Sequence, residues 1–302
     1  MEHVQSDGII SGAEARRIWR DLAWLLGNRF IMIIGYGDES YGRTKTGGYV
    51  IAGWFADRQD WEKFAGHWQN ALNEKHAPYL HMRELDGAER EKPEARFHGW
   101  SDDRVRDFVD GMIPIITGHA IFGLSCAIDA ARREELPEIL QRQYKSSYAL
   151  AFQLFFEQTI KVLCNESKFK CLIPQQEKVA LVFDQVDKRV GIEAHKAFSD
   201  LKLVKADGNR FGTLTFADSK PEGLLIDQHC LGLQAADLLA NRGFKTYKRE
   251  IDRGDIDSTK GWDIALKARG NLLSTYIGKS EIEDFAERAR RREESEKKPP
   301  TS

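Results

Sequence analysis

Residues 33–40 read IIGYGDES. An apolar run that starts at Ile31 passes Gly35 and Gly37 and ends on two adjacent acids, Asp38 and Glu39. A strand predicted over about 29–36 delivers both carboxylates to its carboxyl end. They are either the polar tip of a hairpin turn or one corner of a metal site. The positions of the other acids in the chain decide between the two.

The elements around this stretch follow from hydrophobic period and caps. GGYVIAGWFA at 47–56 is rich in β-branched and aromatic residues and reads as a second strand. The turn-forming link GDESYGRTKTGG makes the pair an antiparallel hairpin. A helix is predicted over 58–75, with Trp61, Phe64, Ala65 and Trp68 on one side. The short extended piece APYLHMREL precedes a helix capped by Ser101 that runs to about 117. A third strand spans about 119–129.

The second half alternates. A helix at 144–164 leads to KVALVFD (178–184), a continuous apolar run suited to a strand covered on both faces. A helix at 190–204, a strand at 210–218 and a helix at 228–249 follow. A helical piece is expected near 262–276 and a charged helix at 280–296.

Leaving out the 57–118 helical insertion between strands two and three, the order is βββαβαβα. Three antiparallel strands and two crossovers give an α/β fold, a mixed five-stranded sheet with helices on both faces. That order is ribonuclease H-like. The core domain is then 29–250. An N-terminal helix (1–28, its helical pattern at 11–27) packs on it, 251–296 is a helical extension and 297–302 a disordered tail.

In this topology the ends of strands one and four meet. Asp38 lies at one and Asp184 at the other. Asp237 is the single charge in the apolar stretch from Cys230 to Ala240, and a buried Asp needs a partner, either a cation or a hydrogen-bond donor. Converging carboxylates without His or Cys point to a hard cation, Mg²⁺ or Mn²⁺. Two such ions ~3.5–4 Å apart suit phosphodiester hydrolysis. Read singly, Asp184 is also an ordinary strand-to-loop exit and Asp38-Glu39 an ordinary turn.

Bulk composition bounds the function. The formal net charge of −2 announces no polyanion binder, so nucleic acid would be held by a local basic face or through bound metal. The four cysteines show no C-x-x-C spacing and read as reduced thiols. The absence of a signal segment or long apolar run predicts a soluble, cytoplasmic protein with no membrane association.

The same residues resemble domain-of-unknown-function family 3800, a prokaryotic and phage-associated family. The matches are D-E-S (Asp38, Glu39, Ser40), His81 in YLHMREL and V-F-D (Val182, Phe183, Asp184). They continue with D-S-K (Asp218, Ser219, Lys220) and L-Q-A-A-D-L-L-A (Leu233 to Ala240). The resemblance covers about 30–249. It implies a ribonuclease H-like nuclease with Asp38, Asp184 and Asp237 as metal ligands, Glu39 as a further candidate, and a phage-defence setting. Residues 221–230 lengthen the link after D-S-K, which leaves the role of Lys220 open.

Further candidates surround this set. His81 and Glu84 could supply a general acid or base and another ligand; they are equally a loop cap and a first-turn acid. Lys220 could contact phosphate, with Ser219 and Gln234 as polar contacts. Arg242, Lys245, Lys248, Arg249 and Arg253 share much of one helix face and could grip a phosphate backbone, or be a solvated helix end.

The expected function is therefore a Mg²⁺- or Mn²⁺-dependent nuclease on DNA or RNA. The alternatives are a catalytically inactive binding module for nucleic acid or protein, and an ATP-binding phosphotransferase. The last would need glycine-rich phosphate loops, for which Gly35-Tyr36-Gly37 is a thin match. Whether the chain forms a homo-oligomer is open.

Overall fold

The computed structural model describes residues 33–41, 48–128, 136–144, 146–165, 178–186, 188–204, 210–219, 228–253, 272–277 and 279–297. The predicted N-terminal helix, Lys220, most of the 221–230 link and the tail beyond 297 lie outside them.

The described chain runs β1 (Ile33–Tyr41), β2 (Tyr49–Asp57), α1 (Arg58–Glu74), α2 (Gly87–Arg90), α3 (Asp102–His119) and β3 (Phe122–Ile128). It continues with α4 (Glu138–Gln143), α5 (Ser147–Asn165), β4 (Val179–Asp184), α6 (Lys188–Val204) and β5 (Phe211–Ala217). Then come α7 (Gln228–Arg253), β6 (Leu272–Ile277) and α8 (Lys279–Lys297). The strands form one mixed sheet in the order β5-β4-β1-β2-β3-β6. β1, β2 and β3 pair antiparallel; β4 is parallel to β1, and β5 to β4.

Two expectations are corrected here. The sheet has six strands, not five, because LLSTYI at 272–277 pairs parallel with β3. That segment falls where a helical piece was expected. Its Thr275, Tyr276 and Ile277 suit an extended chain, and an open β3 edge would leave a row of backbone donors and acceptors unpaired. The first strand also runs further than 29–36 implies. Asp38 and Glu39 lie inside it, opposite Ala52 and Ile51 of β2. GDES has turn composition, but a paired neighbour overrides local preference.

The sheet separates two cores. One face packs on α5, α6 and α8 through residues such as Phe55, Phe152, Phe183 and Phe285. The other packs on α1, α3 and α7 through Tyr36, Trp54, Trp61, Val182 and Leu233. Alternation along β1 sends Ile33 to the first layer and Ile34 and Tyr36 to the second.

The two glycines of IIGYGDES now have a reason. A Cβ on Gly35 would lie 2.6 Å from the Phe55 ring, and one on Gly37 would lie 2.5 Å from the Phe183 ring. Neighbouring strands fill the space a side chain would take. They are strand glycines covered by aromatic rings, not a phosphate loop.

The helices between β2 and β3 are fastened to the core by indoles. Asp57 caps α1 by accepting from Asp60 N at 2.8 Å, and Ser101 caps α3 by accepting from Arg104 N at 3.2 Å. Trp61, Phe64, Trp68 and Leu72 form the buried stripe of α1. Trp61 Nε1 donates to Ile34 O at 2.9 Å, and Trp68 Nε1 donates to Gln234 Oε1 at 3.1 Å. Among the described residues no helix is long and apolar enough to cross a membrane.

Candidate functional site

Register brings the first two acids together. In the parallel β1–β4 pair, Gly37 stands opposite Phe183. Asp38 and Asp184 are the next residues on each strand, on backbones ~4.8 Å apart. Tyr36 and Val182 face the α7 layer, so alternation turns Asp38 and Asp184 to that same face. Glu39 turns to the opposite face, where the Tyr148 hydroxyl at the start of α5 interacts with it and favours its ionised form.

Each acid is held differently. Asp38 is 8% exposed, and its Oδ1 accepts from Glu39 N at 2.7 Å. Asp184 Oδ1 accepts from Gln185 N at 2.8 Å and Ser219 N at 2.9 Å, and its Oδ2 accepts from Ser219 Oγ at 2.7 Å. β5 makes this possible: Ala217 lies opposite Asp184, and Ser219 follows two residues later. Asp237, on α7, accepts from Met82 N at 2.6 Å through Oδ2. The hydrogen-bond donor that an Asp on an apolar helix requires is thus a backbone amide of the 77–86 segment.

The electrostatics show the acids in mutual range. Burial holds the Asp38 carboxyl well above the usual carboxylate range, and Glu39, Asp237 and Asp184 add to it in that order. Burial pushes Glu39 up to about 7, with Asp184 the larger of its two acidic contributors and Asp237 the smaller. Asp184 is also raised by burial, with Asp218 adding, against the pull of Ser219 and Gln185. Burial of a carboxyl raises its pKa in this way, and like charges in range add to it.

The set suits a hard cation in its chemistry. Every candidate donor is a carboxylate oxygen, and Glu39 is buried with the Tyr148 hydroxyl beside it. Among the described residues, however, no group of three or more His, Cys, Asp or Glu is arranged to hold a metal ion. Mg²⁺ needs no such cage. It commonly takes one or two carboxylates and fills its octahedron with water and phosphate oxygens. Asp38 and Asp184, adjacent on one face, offer that minimum; Asp237 has one oxygen on Met82 N, and Glu39 approaches from the far face.

The remaining candidates divide. His81 and Glu84 sit together, with His81 Nδ1 3.4 Å from Glu84 Oε1 and both side chains about a fifth to a quarter exposed. Glu84 lies in a turn closed by its N–H on His81 O, not in a helix. Arg242 bonds to Asp110 of α3 at 3.3 Å, while Lys245, Lys248 and Arg249 are exposed further along α7. Ser219 is buried and serves Asp184.

Gln234, expected as a polar contact for substrate, lies inside the protein. It is fully buried, and both ends of its amide are used within the protein. Oε1 accepts from Trp68 Nε1 and Leu80 N, and Nε2 donates to Ser219 O at 3.5 Å. One side chain thereby ties α1, the 77–86 segment and the exit of β5 to α7. Gln234→Ala would strand two buried donors. It should cost about 2 kcal/mol in urea unfolding, as loss of buried partners does.

Tyr79 stands beside this pair and carries no motif in the sequence. It is buried and donates through its hydroxyl to Glu84 Oε2 at 2.5 Å. Burial, with Glu84 beside it, pushes its phenol pKa up, so it stays a donor.

A scan against protein-family models found no match for this chain, and a search of curated proteins found none either.

Proposed function

We propose that the chain is a divalent-metal-dependent phosphodiesterase acting on DNA or RNA, on a ribonuclease H-like core and related to domain-of-unknown-function family 3800. One observation carries this reading: Asp38, inside β1, and Asp184, at the end of the adjacent parallel β4, stand side by side on one face, within electrostatic reach of Glu39 and Asp237. A fold that concentrates raised carboxyl pKa values at one strand edge is spending stability there, which is characteristic of functional sites. Within the six-stranded order β5-β4-β1-β2-β3-β6, the run from β5 to β3, with β1 to β3 antiparallel and β4 and β5 parallel, supports the core assignment. Asp38, Asp184 and Asp237, three of the residues behind the family resemblance, lie within electrostatic reach of one another.

Asp38 and Asp184 would hold Mg²⁺ or Mn²⁺, with Asp237 and Glu39 completing the acidic surround. The bound ion would supply charge to a phosphoryl group and acidify water. Ser219 and Gln185 keep the Asp184 carboxylate oriented. Exposed Lys245, Lys248 and Arg249 offer phosphate contacts beyond the acids. His81 or Glu84 assists proton transfer.

A second reading has its own support. The Asp237–Met82 hydrogen bond and the lack of a ready three-ligand cage among the described residues fit a binding module that has no catalysis. A nuclease assay on DNA and RNA with Mg²⁺, Mn²⁺ and EDTA separates the two. The nuclease cleaves with either ion and stops in EDTA. No cleavage of any form, with no thermal shift on adding Mn²⁺, leaves the binding module.

A further inference from the structure

We propose that His67 and His119 form a two-imidazole site for a borderline transition-metal ion, Cu²⁺ or Ni²⁺, that clamps α1 to α3. The site shares no residue with the acid cluster and does not depend on the phosphodiesterase reading.

The geometry comes first. His67 lies on α1, and His119 is the last residue of α3. His67 Nδ1 stands 2.8 Å from His119 Nε2, with ring centroids 5.0 Å apart. One nitrogen of each ring therefore already converges on a shared point, and His67 is exposed there. Metal–imidazole bonds of about 2.0–2.1 Å put two nitrogens about 2.9 Å apart at a right angle and about 3.4 Å apart at the tetrahedral angle. The 2.8 Å spacing matches the right angle. That favours a square-planar or octahedral ion, Cu²⁺ or Ni²⁺, over tetrahedral Zn²⁺.

The backbone beneath each ring is fixed. Phe64 and Trp68, on either side of His67 along α1, are fully buried, and Trp68 Nε1 is bonded to Gln234. Directly after His119, Ala120 N donates to Ile116 O at 2.9 Å and Ile121 N to Phe55 O at 2.8 Å. The Phe64 ring stands edge-on to His119, 6.5 Å between centroids. An ion arriving here pays little to order its ligands.

The charges agree. Burial lowers the His119 pKa, and His67 and Lys63 add to that against the pull of Asp60. The imidazole is thus held neutral, the form that ligates. To accept the ion, each ring places its proton on its other nitrogen, with no net proton needed. His119 stands at the negative end of the α3 dipole, which favours a cation. Lys63, the nearby opposing charge, is paired with Asp60 at 3.3 Å. Among the described residues no group of three or more His, Cys, Asp or Glu is arranged to hold a metal. Water fills the other positions of the ion, which makes it exchangeable.

The test titrates Ni²⁺ calorimetrically into untagged full-length protein in excess Mg²⁺, which occupies carboxylate sites and leaves imidazoles free. Wild-type protein should bind Ni²⁺, and His67→Ala and His119→Ala should each weaken binding at least about 10-fold. His67 is exposed, so His67→Ala should melt as the wild type does in EDTA. Lost binding is then not lost folding. Ni²⁺ should raise the unfolding temperature of the wild type and not that of His67→Ala. The electron paramagnetic resonance spectrum of added Cu²⁺ should show nitrogen splitting from two imidazoles in the wild type and from one in either variant.

No Ni²⁺ binding by the wild type, equal binding by the variants, or a Cu²⁺ spectrum unchanged by them would overturn the site. None of these outcomes bears on cleavage by the acid cluster.

Discussion

Asp38→Asn should abolish metal-dependent cleavage and, in EDTA, raise the unfolding temperature. The two effects have one cause. Asp38 is buried on β1, inside the sheet, with three other acids in range, and burial is the main reason its carboxyl resists ionising. An amide of the same shape carries no charge to desolvate and repels no neighbour. If Asp38 holds the proposed cation, removing it should forfeit several kcal/mol of transition-state stabilisation, or about 1,000-fold in rate. A purely structural carboxylate would show the opposite pattern: a less stable variant whose activity falls only with folding. Thermal melts with and without Mn²⁺, alongside the cleavage assay, separate the two. In the variant, Mn²⁺ should add little stability.

The second large effect is on pH. Glu39 titrates at about 7 in the folded protein against an ordinary glutamate value of 4.5, and Asp38 and Asp184 are shifted in the same direction. A group whose folded pKa is raised binds its proton more tightly in the native state. Its contribution is complete below the unfolded value and is lost as pH rises through the folded one. Metal-free protein should therefore lose stability between about pH 4.5 and 7, by up to about 3 kcal/mol from Glu39. Urea unfolding across that range in EDTA measures the slope, and Glu39→Gln should flatten it. Mn²⁺ binding the ionised acids should offset the loss at neutral pH.

Much of this arrangement was legible from residue pattern. The strand ending on Asp184, the Ser101 cap, the aromatic stripe of α1 and the lone charge of the Cys230–Ala240 helix segment are local signals, and each element formed where the pattern placed it. What escaped were long-range effects. The hairpin partner decides that GDES is strand and not turn. β3 decides that 272–277 is extended, because its open edge offers a ladder. Gln234 reads as a polar site residue from its motif, yet three segments distant in sequence consume its amide. Tyr79 carries no motif, and only the 79–84 turn shows what its hydroxyl does. The residues outside the described set, Lys220 among them, stand as sequence expectations.

Calorimetric titration of Mn²⁺ into wild-type protein and into Asp184→Asn at neutral pH addresses the acid cluster most directly. Wild-type protein should bind the ion, and the substitution should weaken binding at least about 10-fold, since even outer-shell changes cost that much. Equal binding by both proteins, or no binding by the wild type, would contradict a cation site built on Asp38 and Asp184.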